Sequence, residues 1–339
     1  MLRNLAERFK PRLNDVVGLD IAATATKAVR VKRSNNDVSV VAIAALPGIT
    51  LAASPAAEVG VPPLELPKRL RGRYASLAVS GKQAAVKLLT FPGHFDTGAE
   101  SQISQYMGIE NVADYRLAYK VIADTRAESK VLAVALPEAE ARAACMLLPA
   151  GLPVPWSLEV SGLATLSAFL HRTALDHADG AVGVIDFGAS TSTVAFVYKG
   201  VLSLVRKLDT GTDKLLARVS ETLSVDLPTA EQILFGGSVD VSQSITEVMD
   251  PFLKQMMISR DFVERREDCH VGRVYVCGGA VSSENWMRQI HSTMGVEVVQ
   301  WNPFDGLNVL QGAIPPELAG QEPRFAAALG AALATFEEE

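Results

Sequence analysis

One short pattern occurs twice in this chain, and the repeat limits the folds that the chain can adopt. Residues 16–31, VVGLDIAATATKAVRV, align without a gap with residues 182–197, VGVIDFGASTSTVAFV, so that Asp20 matches Asp186. Each copy is an apolar strand ending in aspartate, a turn of small and hydroxyl residues, and a second apolar strand. A repeated unit indicates repeated architecture. The sequence therefore predicts a duplicated α/β protein with two lobes and a cleft between them.

The rest of the sequence alternates apolar, β-branched runs with amphipathic stretches, which is typical of α/β proteins. We predict strands at residues 15–21, 27–33, 38–46, 74–81, 83–92, 117–124, 130–137 and 272–279, with a further strand group at 183–208. We predict helices at residues 99–107, 137–148, 156–175, 213–223, 227–235, 239–266 and 283–290.

The composition argues against several classes of function. With 339 residues, 48% of them hydrophobic, the chain can bury a large core, and about two domains are expected. The net charge of −6 argues against a general nucleic-acid binder. Three dispersed cysteines without a CxxC pair argue against a disulfide framework or a zinc site. No apolar stretch is long enough to span a bilayer, so we expect a soluble protein.

Residues 1–14 form an N-terminal segment that carries four basic side chains. Its leucines and its phenylalanine fall near helical spacing, with the basic residues on other faces. Two interpretations are open, namely contact with an anionic membrane surface and a helix that frays or packs on the core. We favour the second.

The two turns have the chemistry that a phosphate chain and its cation require. Backbone N–H groups and hydroxyls replace phosphate hydration, and they approach closely only where side chains are small. A carboxylate then holds hydrated Mg²⁺. Residues 186–192, DFGASTS, supply both, and residues 20–27, DIAATATK, supply a weaker version with Lys27 added. Either turn alone is more often an ordinary hairpin, but the pair indicates a phosphate site.

A third motif is YVCGGAVSSENWMRQI at residues 275–290. Gly278 and Gly279 end an apolar strand, and Ser282 or Ser283 is expected to cap the helix that follows. A glycine pair lets the backbone lie flat against a ligand ring and directs a helix N-terminus at phosphate. A plain strand-to-helix turn is the alternative. The P-loop signature GxxxxGK[ST] is absent, as is a kinase GxGxxG after the first strand.

These motifs, in this order, resemble the actin-like ATPase fold, and within it the PilM family of type IV pilus assembly proteins, relatives of the cell-division protein FtsA. The similarity covers nearly the whole length, including the short basic N-terminus before GLDI, LLTFPG before a helix, and the VLAVALPEAE segment. It continues through DLPTAEQIL and VYVCGGAVSSENWM to PRFAAALGAALA. The resemblance implies an actin-like, ribonuclease H-like duplicated fold with the extra subdomain of PilM and FtsA.

The resemblance also implies a site for ATP and Mg²⁺, with Asp20 and Asp186 facing the metal. The residues that would meet the phosphates are Thr24, Ala25, Thr26, Lys27, Gly188, Ala189, Ser190, Thr191 and Ser192. The residues that would lie near the ribose, base and nucleoside are Gly211, Glu231, Gly278, Gly279 and Ala280. Glu159 is the candidate catalytic residue, because it occupies the position at which actin-like enzymes can place a water. A capping or salt-bridging glutamate on a surface helix is the alternative.

Two positions depart from the family pattern. Ala22 stands where the family usually has glycine, and its methyl group would weaken binding if the position needs positive φ or close approach to phosphate. Leu234 stands where the family has a lysine, which removes a cation near the nucleotide. We therefore expect nucleotide binding with slow or negligible hydrolysis.

The resemblance also predicts the organisation and the partner. Residues 1–14 would precede a first lobe at 15–175, which includes the extra subdomain at about 80–148, and a second lobe at 176–339. Near the extra subdomain the chain would receive the short cytoplasmic tail of PilN, an inner-membrane protein. The protein would then be cytoplasmic, at the inner face of the inner membrane, and peripheral to it through this partner, without nucleic acid and with self-association open.

Three other functions compete with this scaffold. The first is a degenerate scaffold on the same fold that binds no nucleotide. The second is a sugar kinase or related phosphotransferase, which needs a catalytic aspartate that the inter-lobe sequence does not offer. The third is a polymerising division protein like FtsA, against which we count the lack of a C-terminal amphipathic helix before the final LATFEEE.

Overall fold

The computed structural model describes residues 13–35, 37–51, 63–237 and 239–337. Most of the predicted N-terminal segment therefore lies outside the described residues, as do residues 52–62 of the predicted surface connection. The strands are β1 (Asp15–Ile21), β2 (Ala25–Ser34), β3 (Asp37–Pro47), β4 (Tyr74–Val79), β5 (Ala85–Pro92), β6 (Tyr115–Asp124), β7 (Glu128–Pro137), β8 (Val154–Val160), β9 (Ala181–Phe187), β10 (Ser192–Tyr198), β11 (Val201–Leu208), β12 (Val271–Gly278), β13 (Glu297–Gln300) and β14 (Asn308–Val309). The helices are α1 (Thr97–Met107), α2 (Glu138–Met146), α3 (Ser161–His171), α4 (Thr212–Leu223), α5 (Leu227–Gly236), α6 (Ser242–Glu267), α7 (Glu284–Met294) and α8 (Ala326–Glu337).

The strands form three sheets, and two of them share one topology. The first sheet has the order β14-β3-β2-β1-β4-β8 and the second has the order β11-β10-β9-β12-β13. In each, three consecutive antiparallel strands are followed by two strands parallel to the first of them. The duplication predicted from the repeated hairpin is confirmed at the level of strand order. The third sheet, β5-β7-β6, is antiparallel and packs with α1.

The two large sheets face a common layer that contains α3 and α8. One hydrophobic core includes residues from β1, β2, β9 and β10 together with both helices. Small residues let the helices approach closely, because a Cβ added at Gly330 of α8 would lie 1.7 Å from the Ala164 carbonyl oxygen of α3. Gly18 of β1 likewise lies against the Ala328 carbonyl oxygen, at 1.8 Å from an added Cβ. This shared layer fixes the two sheets relative to one another.

One predicted helix is partly wrong. The sequence predicts that residues 156–160 begin a helix, yet they are the end of strand β8, and α3 begins only at Ser161. The reason is a non-local one, since β8 pairs in parallel with the fully buried strand β4. The other predicted elements correspond to observed strands and helices, with differences at their ends. In the described ranges, no helix combines the length and apolar character needed to cross a membrane.

Candidate functional site

The two matched aspartates are held by neighbouring hydroxyls of helix α3. Ser161 Oγ donates a hydrogen bond to Asp20 Oδ1 at 2.6 Å, and Thr165 Oγ1 donates one to Asp186 Oδ2 at 2.8 Å. Residues four apart lie on one face of a helix, about 5–6 Å apart at Cβ. The carboxylates of the first and second sheets therefore approach the same turn of α3 from two sides.

The strand register extends the match between the two hairpins. Asp20 pairs with Lys27 across β1 and β2, and Asp186 pairs with Thr193 across β9 and β10, so both hairpins have the same length. Directly opposed residues point to the same face of a sheet. Lys27 and Thr193 thus hold equivalent positions beside the two carboxylates. Thr193 packs on α3, where a Cβ added at Gly162 would lie 1.8 Å from Thr193 Oγ1.

The two carboxylates have different electrostatic surroundings. Asp20 is 8% exposed, and its Oδ2 lies 3.5 Å from the Lys27 Nζ. In the described part of the chain, Asp186 forms no comparable ion pair. Burial raises the pKa of Asp186 to about 6; the Thr165 hydrogen bond and the Lys27 charge oppose the rise, and the Asp20 charge adds to it. Asp20 thus has a lysine as its ion-pair partner, whereas among the described residues Asp186 has none and is stabilised by the Lys27 charge only at longer range.

The second turn, Gly188–Thr191, is fixed by the start of helix α4. The N–H groups of Thr212 and Asp213 donate to the carbonyl oxygens of Gly188 at 3.0 Å and Ala189 at 2.8 Å. A Cβ added at Gly211 would lie 2.2 Å from the Ala189 carbonyl oxygen, so only glycine fits there. Gly211, predicted to lie near the ribose, is thus in contact with the second turn.

The second turn also presents free backbone donors. The N–H groups of Ala189, Ser190 and Thr191 donate to no other backbone group within the described residues, and all three residues are partly exposed. Ser192 is buried, and its Oγ donates to the Thr210 carbonyl oxygen at 2.5 Å. Successive unpaired N–H groups in a turn form a concavity that binds anions. The predicted phosphate turn therefore has the donors that a phosphate requires.

The first turn is more open and is tied at a different point. A Cβ added at Gly48 would lie 1.9 Å from the Ala23 carbonyl oxygen, and Ile49 N donates to the Ala22 carbonyl oxygen at 2.9 Å. Thr24 is exposed and Ala25 is partly exposed. Ala22 does not adopt positive φ, so its backbone does not require glycine.

Thr26 lies differently from the other predicted residues of this turn. Side chains alternate between the faces of a strand, so the Thr26 side chain points to the face opposite Lys27 and Asp20. Its Oγ1 is buried and has no hydrogen-bond partner among the residues that the structure describes. The structure therefore brings Asp20 and Lys27 to the cleft and turns the Thr26 hydroxyl away from it.

The glycine pair lies beside the second aspartate. Cys277 is in register with Asp186, and Gly278 is in register with Phe187, at the carboxyl ends of these two parallel strands. Gly278 has φ +100°, and an added Cβ would lie 2.2 Å from the Phe187 carbonyl oxygen, whereas Gly279 faces open space. Ala280 is buried in the second core. The predicted cap of the next helix is confirmed at Ser283, which accepts from Trp286 N at 3.5 Å.

Helix α5 is joined to the segment that follows the glycine pair. Glu231 is exposed on this helix, while Leu234 is 2% exposed and belongs to the core of the second sheet. Ser283 Oγ donates to the Leu234 carbonyl oxygen at 3.0 Å, which ties α5 to the segment after the glycines. The leucine is thus a core residue and offers the cleft no charge.

The mouth of the cleft is bridged by a lysine. Lys207 of β11 donates from Nζ to the carbonyl oxygens of Gly81, Lys82 (2.8 Å) and Ala84 (2.9 Å), in the connection between β4 and β5. Burial lowers the pKa of Lys207, although nearby carboxylates oppose this. Lys207, Lys82, Ala84 and Thr191 of the second turn line an open pocket of about 540 Å³. The second turn therefore opens into a cavity that is bordered by β11 of the second sheet and by the connection between β4 and β5.

Comparison with known proteins agrees with this geometry. The family model described as type IV pilus assembly protein PilM matches residues 114–336. The chain belongs to the PilM family. A solved structure of a "PilM-PilN type IV pilus biogenesis complex" superposes with a TM-score of 0.76 at 21% identity, covering 96% of this chain and 99% of that one. The predicted actin-like fold is confirmed.

Two further solved structures give weaker matches. The ethanolamine utilization protein EutJ from Carboxydothermus hydrogenoformans has a TM-score of 0.44 at 17% identity, covering 94% of this chain and 88% of that one. An archaeal actin homolog has a TM-score of 0.44 at 13% identity, covering 96% of this chain and 100% of that one. No curated protein sequence gave a significant match.

Glu159, the catalytic candidate of this PilM-family chain, lies on a strand and not on a helix. It is the residue before the end of β8, and it is partly buried. Glu159 is in register with Ala78, and Ala78 is in register with Asp20, so these residues form one row across the first sheet. Two strand spacings place Glu159 about 10 Å from Asp20 on the same face.

Ser161 and Thr165 are candidate site residues that the sequence does not predict. Both lie in a stretch that the sequence predicts as an apolar helix without a site. The signal is present in SGLAT, because two hydroxyl residues four apart in a mostly apolar helix lie on one face of it. Their partners can be known only from the fold, since Asp20 lies 141 residues from Ser161.

The chain's own residues fit a nucleotide with Mg²⁺. The described residues contain no group of three or more His, Cys, Asp or Glu side chains able to hold a metal ion by themselves. Mg²⁺ usually binds one or two carboxylates together with substrate phosphates and water. Asp20, Asp186 and the free N–H groups of the second turn provide that combination.

Proposed function

We propose that this PilM-family chain binds ATP with Mg²⁺ between its two large sheets and acts as a scaffold in type IV pilus assembly. The observation that carries the nucleotide proposal is the pair of hydrogen bonds from one turn of α3, Ser161 to Asp20 and Thr165 to Asp186. It brings carboxylates from both halves of the repeat to one place. Bound Mg²⁺ would balance the negative charge of ionised Asp186.

Each part of the cleft has a role in this proposal. Asp20 and Asp186 hold the hydrated metal, and Lys27 shares its charge between Asp20 and the phosphates. The turn at residues 188–192 donates its free N–H groups to the phosphate oxygens, and residues 278–280 contact the nucleoside. Glu231 lies at the exposed side of α5, toward ribose and base. The first turn contributes through Thr24 and Ala25, with Thr26 limited to its backbone.

We propose slow or negligible hydrolysis. Glu159 lies in the row of Asp20 but two strands away, so it acts on a water only if the phosphates extend toward β8. Leu234 is a core residue and adds no cation to stabilise charge on the phosphates. The proposed use of the nucleotide is therefore to hold the two sheets together.

The partner proposed for this scaffold is a membrane protein like PilN, because the similar solved structure is a complex of PilM with PilN. We propose lobes at residues 15–175 and 176–339, with an extra subdomain at about 80–148 that contains the third sheet. Near this subdomain the chain would take up a short cytoplasmic tail. The protein would then lie in the cytoplasm at the inner membrane, peripheral to it, and its self-association is open to measurement.

Calorimetry with a non-hydrolysable ATP analogue tests the nucleotide site. We expect saturable binding that requires Mg²⁺, and a loss of about 100-fold or more in affinity for Asp186→Ala, since a metal carboxylate is removed. Asp179→Ala, which removes an exposed aspartate of the same sheet region, is the matched control. Equal affinities for the wild type and Asp186→Ala would refute the site.

Fluorescence anisotropy with a labelled peptide of the PilN cytoplasmic tail tests the partner. We expect binding by the full chain and competition by unlabelled peptide. A peptide of the same composition in scrambled order is the control. Binding of both peptides with one affinity would contradict the proposed partner but leave the nucleotide site in place.

A further inference from the structure

Exposed basic side chains cluster at the end of the first sheet opposite the cleft. The aspartate site lies where β1 ends, whereas this cluster lies where β1 and β4 begin and β2 ends. It consists of Lys32, Lys68, Arg69, Arg71 and Arg73, all exposed, and we call it the basic face. Four of these residues come from one short stretch before β4, with one acidic residue, Glu65, close by.

The basic face is held in place by contacts with the rest of the fold. Leu70 and Tyr74 are buried and anchor the stretch to the first sheet. The side chain of Arg69 donates to the Gly312 carbonyl oxygen, and Arg71 Nε donates to the Leu66 carbonyl oxygen at 3.0 Å. These contacts fix the arginine stems and use one donor group of each guanidinium, which carries five N–H groups.

The acidic residue at its centre is already neutralised. Asp15 accepts from Arg30 Nε at 2.7 Å and from Arg30 Nη2 at 2.6 Å. Lys32 Nζ lies 4.0 Å from the same carboxylate, and its side chain remains 52% exposed. Because the whole chain has a net charge of −6, this excess of positive charge is a local feature of one end of the molecule.

Exposed apolar residues border the basic face on one side. Edge strand β8 and the residue pair before it expose Leu152 (61%), Val154 (42%) and Trp156 (39%). They adjoin the arginines, because Val154 N donates to the Arg73 carbonyl oxygen at 3.0 Å. The Arg73 guanidinium lies over the Tyr74 ring, and that ring contacts the Trp156 ring with centroids 5.6 Å apart.

The sequence before β1 is also basic. Residues 1–12 contain four basic residues and one acidic residue, and they connect to buried Leu13 just before β1. The start of β1 belongs to the end of the sheet that carries the basic face.

We propose that the basic face binds the anionic surface of a lipid bilayer directly. Lysine and arginine are attracted to anionic headgroups, and tryptophan, leucine and valine enter the region between headgroups and acyl chains. A nucleic acid would use the positive charges but would leave the exposed Leu152 and Val154 unexplained. In this orientation the aspartate cleft faces away from the membrane.

Vesicle co-sedimentation of the purified full chain, without any partner protein, tests the proposal. We expect binding to phosphatidylcholine vesicles that contain about one-third phosphatidylglycerol, weakening as salt is raised, and no binding to phosphatidylcholine alone. Lys68→Glu with Arg73→Glu should weaken binding about tenfold or more. Trp156→Ala should weaken it less and without changing the salt dependence.

Lys254→Glu with Arg288→Glu is the matched control, because it makes the same charge change on the second sheet's helices. Circular dichroism checks folding, and Lys32→Gln with Lys68→Gln replaces the first variant if that one is unfolded. Failure of the wild type to bind anionic vesicles would overturn the proposal, as would equal losses in the control. Binding of duplex DNA without vesicle binding would assign the face to nucleic acid instead.

Discussion

The two hairpins that carry Asp20 and Asp186 have the same length and register but different charge environments. The first aspartate has an ammonium group at 3.5 Å, from Lys27. At the equivalent position the second has Thr193, and burial raises its pKa to about 6. The duplication therefore kept the backbone and the carboxylate while the charge balance diverged.

The turns that follow these aspartates also differ, in how they are held and in the backbone donors that they present. The second turn is held by two N–H groups of α4 and presents three N–H groups that have no backbone acceptor among the described residues, whereas the first is exposed and is tied through Ile49. The second half therefore carries both the carboxylate with the raised pKa and the turn that is held by α4. We expect most of the ligand's binding energy to depend on it.

Gly211→Ala should have the largest effect. Its methyl group would lie 2.2 Å from the Ala189 carbonyl oxygen, and such overpacking costs about 3 kcal/mol in the free energy of unfolding. Affinity for the ATP analogue should fall with it, because the free N–H groups move. Denaturant unfolding and calorimetry measure the two effects.

Gly48→Ala sharpens this contrast, because it crowds the first turn in the same way, at 1.9 Å from the Ala23 carbonyl oxygen. We expect a similar loss of stability with a smaller loss of affinity. Gly180→Ala is the neutral control, because an added Cβ would meet no non-neighbouring atom of the described residues within 4 Å. Equal affinity losses at Gly48 and Gly211 would contradict the ranking of the two turns.

Asp186→Asn should stabilise the ligand-free protein at pH 8 by about 1–3 kcal/mol. The folded-state pKa of Asp186 is raised to about 6 from 3.8, so the stability contributed by its protonated form is complete below pH 4 and lost as pH rises through 6. The asparagine variant does not ionise. Thermal unfolding from pH 4 to pH 8, with EDTA, should show the advantage growing with pH.

Lys27→Met is the companion to this variant. Because the Lys27 charge lowers the pKa of Asp186, its removal should move the pH midpoint of the stability change upward. A stability difference between the wild type and Asp186→Asn that does not vary with pH would show that Asp186 is not the titrating group.

Thr165→Val should have an effect of about 1 kcal/mol on unfolding and should raise the pKa of Asp186 further. Ser161→Ala should cost a similar amount without moving that pKa, because Ser161 donates to Asp20. Ser167→Ala on the same helix is the control. NMR titration of the carboxyl carbons would report the shift in the pKa of Asp186. An identical shift for both variants would contradict the assignment of the two hydroxyls to separate carboxylates.

Ala22→Gly should have the smallest effect, less than about tenfold in affinity. The Ala22 backbone does not adopt positive φ, so glycine relieves no strain and removes only a methyl group. Calorimetry against the wild type measures the change. A larger gain would show that phosphate approaches the first turn as closely as the second.

Local patterns are sufficient to predict the two hairpins and the duplicated fold, because the repeated motif preserves strand length and register. They are not sufficient for residues 156–160, whose apolar pattern resembles a helix and whose strand pairing depends on β4. The roles of Ser161 and Thr165 also depend on contacts distant in sequence. Thr26 shows the same limit, since its place in a hydroxyl-rich turn does not reveal the face to which it points.

Lys207 has a consequence for how ligands enter. Its ammonium group leaves water to bind three carbonyl oxygens of the facing connection, at the pocket into which the second turn opens. Parting the sheets at that edge breaks all three contacts together and rehydrates the charge. The residence time of a nucleotide would then depend on how fast the Lys207 hydrogen bonds break as well as on the contacts of the nucleotide itself.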